Sequence, residues 1–224
     1  MWNKRLNILG CSLLSLLMAP EVFAHGVAHQ DQGFLTGASG VHFAPYMYLG
    51  AKHMVTGYDH LLYLAGVIFF LGKLRDIALF VSLFALGHSI TLLLGVLTSV
   101  HINPFIIDAI IGLSVSYKAL ENLGAIRFFD PKIMVFTFGL AHGFGLSSKL
   151  QDLSLSNDGL VTNMLAFNLG VELGQILALV LLYWCFTWLR RQPHFESHAR
   201  GVNLLLFAAG LMLFGMQTVG YFLS

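Results

Sequence analysis

Charge is what this sequence has least of. Asp, Glu, Lys and Arg make up 10% of its 224 residues, against roughly 25% in an ordinary soluble domain. So few charges cannot cover a water-facing surface. A net charge of +1 leaves no basic patch for nucleic acid. Cysteine is nearly missing: Cys11 and Cys185 are the only two. Cys11 lies in the first apolar segment, so no disulfide framework is expected. No Walker-type phosphate loop occurs, which excludes ATP hydrolysis by that device. No internal repeat or low-complexity tract is evident either. What fills the chain instead is hydrophobic residues, 57% of the total, and ten histidines.

The first 24 residues, "MWNKRLNILGCSLLSLLMAPEVFA", carry Lys4 and Arg5, an apolar run from Leu6 to Met18, Pro20 and a small-residue end at Ala24. That is the pattern of a cleavable secretory signal cut after Ala24. Residues 25–45 read as an outer, periplasmic segment and 46–224 as a membrane domain. A spanning helix needs about 20 apolar residues. Six spans follow, at about 46–72, 77–99, 104–122, 131–150, 160–189 and 201–223. The expected fold is an all-α polytopic membrane protein, a six-helix bundle behind a cleavable signal peptide. Lys73, Arg75, Arg127, Lys132, Arg190, Arg191 and Arg200 fall on one side of this map, and only Lys52 and Lys149 on the other. Positively charged loops stay inside. The mature amino and carboxyl ends are therefore expected outside a bacterial inner membrane, in the periplasm.

Ionisable residues inside the spans need a reason, because each costs about 2.5–3.5 kcal/mol at bilayer depth. "HMVTGYDH" brings His53, Asp59 and His60 into the first span. On one continuous helix a seven-residue spacing puts both histidines on one face. Asp59 then serves as a ligand or holds an imidazole in its tautomer. Neutral imidazole with carboxylate suits nickel, cobalt, zinc and iron; a buried His–Asp pair that merely fixes packing is the other reading. His88 sits mid-span in "FALGHSITLLLG", beside Ser89 and Thr91. His142 lies among Gly139, Gly143 and Gly145 in "FTFGLAHGFGLSS". Glu172 is deep in the fifth span, and Asn168 and Gln175 are expected on its face. Glu121 is expected to be solvated or paired with Lys118, and Asp108 to be solvated.

The blocks "HMVTGYDH", "LGHSITL", "KALEN", "FGLAHGFGLS" and "FNLGVELGQ" follow in order from His53 to Gln175. With them the chain resembles the HupE/UreJ family of bacterial membrane proteins. Members are associated with nickel or cobalt permeation, often near hydrogenase or urease genes. The resemblance implies that His53, Asp59 and His60 form the first metal motif and that His142 belongs to the second. That second block holds one histidine and no glutamate, so the chain is similar to a second branch of the family. The expected function is a secondary permease for Ni²⁺ or Co²⁺, with a neighbouring metalloenzyme maturation system as a possible partner beside the ion and the bilayer. The alternatives are an intramembrane hydrolase using Zn²⁺ and Ser89, and a metal-handling membrane chaperone. Signal cleavage would expose His25, which with His29 forms a candidate capture site for incoming metal.

Overall fold

The computed structural model describes residues 29–153 and 155–224. The expected signal segment and His25 lie outside them. All regular structure among the described residues is helical: α1 His29–Gly37, α2 Phe43–Thr56, α3 Tyr58–Ile68, α4 Leu74–Thr98, α5 Pro104–Asn122, α6 Pro131–Gln151, α7 Leu160–Arg190 and α8 Phe195–Leu223.

Several helix starts are written locally. Asn103 and Asp130 each precede a proline, which fits the first helical position because it has no N–H to leave unpaired. The Asn103 side chain accepts from the Phe105 N–H at 2.9 Å, and the Asp130 side chain accepts from Lys132 at 2.7 Å. Both are side-chain N-caps. α7 begins after Gly159, which has φ +73° and touches the Gly40 backbone closely enough to leave no room for a Cβ. One turn later, Asn163 ties the same turn down. Its Oδ1 accepts from the His42 N–H at 2.7 Å and its Nδ2 donates to the Gly40 carbonyl at 2.9 Å.

The long helices pack as pairs: α2 along α7, α4 along α6, and α5 along α8. Small residues let these backbones meet, as in membrane helix interfaces. Gly139 and Gly143 of α6 press on the Phe84 and His88 backbone of α4, and Gly170 and Gly174 of α7 press on Met47 and Ala51 of α2. The short α3 sits between the pairs and touches α2, α4, α5, α7 and α8. Asn122 binds three elements at the other end of the bundle. Its Nδ2 donates to the Gly66 carbonyl of α3 at 2.8 Å and to Asn203 Oδ1 of α8 at 2.9 Å.

α4, α6, α7 and α8 are long and apolar enough to cross a membrane. Their outer faces expose residues such as Leu94, Leu165, Leu169, Ile176, Leu181 and Leu204. Apolar side chains turned outward in such numbers suit lipid rather than water. The segment at 46–72, made irregular by Pro45, Gly50, Lys52 and Gly57, is two helices in succession: it breaks at Gly57, whose backbone is extended (φ −74°, ψ 95°), into α2 and α3. The glycine lacks a side chain to hold helical packing there, and a Cβ would crowd the His53 carbonyl at 3.0 Å and His60 Nδ1 at 3.1 Å. The amino-terminal segment also contains a helix, α1, whose Leu35 is fully buried.

Candidate functional site

The break at Gly57 positions the site. The α2 end presents carbonyl groups, the partially negative end of a helix, and the α3 end presents amides. Asp59 takes up the latter: its Oδ1 accepts from the His60 N–H at 2.8 Å. The same oxygen lies 3.2 Å from His60 Nδ1. A carboxylate oxygen accepts, so Nδ1 carries the proton and Nε2 keeps its lone pair. Asp59 thus holds the His60 ring from its own helix start.

His60 is fully buried, and three other imidazoles surround it. Ring centroids lie 5.3 Å away for His53, 5.5 Å for His88 and 4.9 Å for His142. All four rings are buried. They come from α2, α3, α4 and α6, so the cluster forms only when all four helices are packed. His53 and His60 meet across the helix break and not along one helix face, which corrects the single-helix reasoning for that pair.

His142 is oriented in the same sense as His60. Its Nδ1 lies 2.7 Å from the Phe138 carbonyl of its own helix. That oxygen can only accept, so His142 also keeps its lone pair on Nε2. His88 is held through its backbone, which Gly143 approaches too closely to admit a Cβ. Thr91 Oγ1, one turn on, donates to the Leu140 carbonyl at 2.7 Å and pins α4 to α6.

Aromatic rings wall the cluster. Phe84 lies 4.9 Å from His142 and 6.2 Å from His60, Tyr63 lies 5.3 Å from His142, and Phe167 lies 6.1 Å from His53. These rings enclose the cluster in apolar surface, and imidazole binds a metal through a ring-nitrogen lone pair. The four rings pack edge to face, and among the described residues no three His, Cys, Asp or Glu side chains are arranged as a ready-made metal site. A ligand sphere, whose bonds to nitrogen would be about 2.0–2.1 Å, would need these rings to rearrange.

The remaining sequence candidates fall elsewhere. Glu172 is exposed, although Asn168 and Gln175 are buried. At about 100° per residue the three spread over some 60° of α7, with Glu172 at one edge. Asn168 and Gln175 turn toward α4, where they donate to Ser89 and to the Val81 carbonyl, and Glu172 turns away. Ser89 Oγ accepts from Asn168 Nδ2 at 2.9 Å, about 100° round α4 from His88. Lys118 pairs with Glu121 at 2.6 Å, as expected of Glu121. Asp108 is not solvated: it is buried and paired with Lys149 at 2.7 Å. Sequence reasoning passed over this pair because two groups from different spans carry no mutual spacing signal. It also passed over Tyr63 and Phe84, which read as ordinary apolar span residues. His29 is the first residue of α1.

The family model described as HupE / UreJ protein matches residues 29–224. No curated protein and no solved structure matches the chain significantly. The match takes in every helix that contributes to the histidine cluster, and the chain belongs to the HupE/UreJ family.

Proposed function

We propose that the protein is a secondary permease for a divalent transition metal, Ni²⁺ or Co²⁺ first, with the cluster of His53, His60, His88 and His142 as its transient intramembrane binding site. The observation that carries this reading is the convergence of three buried imidazoles on a fourth, His60. A cluster that serves packing alone has no need to orient two lone pairs through Asp59 and the Phe138 carbonyl. Imidazole nitrogen suits nickel, cobalt and zinc. A conducting site must also release its ion, so ligands that must rearrange to close around it are suitable. Inward movement of a divalent cation down an inside-negative potential gains about 4.6 kcal/mol per 100 mV, twice the single-charge value.

In this reading the bundle crosses the membrane six times. α2 and α3 together make one broken crossing, of the kind that often builds ion sites in transporters. α5 makes another. Its 19 residues span about 28 Å, and the charges near its ends are paired, Asp108 with Lys149 and Lys118 with Glu121. The Lys and Arg distribution supports an orientation with both mature ends in the periplasm of an inner membrane. His25 and His29, at the new amino terminus after signal cleavage, would offer a weak capture site on the side where the ion arrives. The exit side would feed a metalloenzyme maturation system. The hydrolase reading has less support, because the Ser89 hydroxyl is engaged with Asn168 of α7.

The experiment is metal binding and uptake by the full chain in proteoliposomes, with Ni²⁺, Co²⁺ and Zn²⁺ compared. His60→Ala should lose potential-driven uptake together with the metal held by the histidine cluster. Unchanged binding and uptake in that variant would overturn the proposal.

A further inference from the structure

The buried ion pair between Asp108 and Lys149 has no part in the cluster described above, yet it stands next to it. Asp108 Oδ2 accepts from Lys149 Nζ at 2.7 Å. The carboxylate side chain is 4% exposed and the lysine 20%. On α6, His142, Gly145 and Lys149 share one face at i, i+3 and i+7. A Cβ at Gly145 would lie 3.5 Å from Asp108 Oδ1, so Asp108 packs about one turn beyond His142. Lys149 is about 10 Å along the helix from His142, toward the end of α6. Asp108 therefore lies between the Lys149 end of α6 and His142 of the cluster.

Resting on the transport reading, we propose that Asp108 is a cation-receiving carboxylate on the entry side of the histidine cluster, and that the Lys149 ammonium is its built-in competitor. With no metal present the ammonium neutralises the buried carboxylate. A divalent cation carries twice the charge and is attracted about twice as strongly at equal distance. It displaces the ammonium, which has a flexible four-carbon stem and a partly open path to the surface. The ion then passes from a hard oxygen donor to the borderline nitrogen donors of the cluster. Lys149 re-pairs behind it, so the carboxylate never stays buried without a cation.

The test starts with the wild-type protein, so folding of a variant is not at issue. In nanodiscs, a water-soluble carbodiimide joins a carboxylate to an amine in contact with it. The Asp108–Lys149 cross-link is quantified by peptide mass spectrometry against added Co²⁺, with bound cobalt measured on the same sample. Bound Co²⁺ should suppress the cross-link, and K⁺ at the same concentration, which carries no more charge than the ammonium, should not. His60→Ala should lose uptake while keeping the suppression, because Asp108 receives the ion before the cluster does. In uptake, Lys149→Gln should lower KM about tenfold, within the range by which partners behind metal ligands change affinity. Asp108→Asn with Lys149→Gln, a neutral pair of similar shape, should raise KM above wild type. Cobalt that binds without changing the cross-link overturns this inference and leaves the histidine site intact. A double variant with wild-type KM overturns it too, since the pair would then be a packing contact only. If no cobalt binds wild type at all, the transport reading falls and this inference falls with it.

Discussion

Gly143→Ala tests whether the α4–α6 contact sets the geometry of the histidine cluster. A Cβ at this position would overlap the His88 carbonyl oxygen and Thr91 Oγ1, and would stand 2.9 Å from the His88 carbonyl carbon. Ordinary carbon contacts are about 3.5–4.0 Å, so the two helices must part by about 1 Å. No rotamer change relieves a clash with backbone. Overpacking of this kind costs about 1–3 kcal/mol, which for a chain of this size lowers Tm by about 2–4 °C per kcal/mol. The functional effect should be larger than the stability effect. His88 and His142 approach His60 from the two helices being separated, at 5.5 and 4.9 Å, and metal–nitrogen distances tolerate only about 0.2 Å. Metal affinity should therefore fall about 10–100-fold. Gly215→Ala is the control: a Cβ there meets nothing within 4 Å, and the change should be neutral or stabilise the helix by about 0.5–1 kcal/mol. Thermal unfolding in detergent and Co²⁺ binding in nanodiscs read the two effects separately. If Gly143→Ala matches Gly215→Ala in both, the packing argument for the site is refuted.

Asn163→Ala removes both hydrogen bonds to the 40–42 turn and should cost about 1–3 kcal/mol, from two bonds of about 0.5–1.5 each; faster hydrogen exchange over residues 38–46 checks it, and unchanged protection there would contradict the clamp. Glu172→Gln and Ser89→Ala should leave metal affinity unchanged, because one residue is exposed and the other is bonded to α7; a loss of bound metal in either variant would enlarge the site beyond the four imidazoles. Reporter fusions after Arg75, Arg127 and Arg191 should read cytoplasm and fusions after His101 and Asn157 the outside; a cytoplasmic signal at Asn157 would break the six-crossing proposal.

Much of this protein was settled by the sequence alone, for local reasons. Scarce charge and long apolar runs require lipid-facing helices, and Asn103-Pro104 and Asp130-Pro131 mark helix starts through their own caps. The insertion cost of a polar group singles out His60, His88 and His142 as residues that must turn inward, whatever they face there. Tertiary structure decided what they face. Gly57 could have continued a helix, as glycine does in many membrane spans; it became a break where His53 and His60 crowd it. Glu172 shares a sequence neighbourhood with Asn168 and Gln175, but some 60° of helix surface straddles the edge of the α4 contact, and only packing sets where that edge falls. Asp108 near a span end read as a solvated carboxylate until α6 brought Lys149 against it. Spacing along one helix fixes which residues share a face to within one turn. The rotation of that helix against its neighbours is set by side chains from other segments, and no single stretch of sequence contains it.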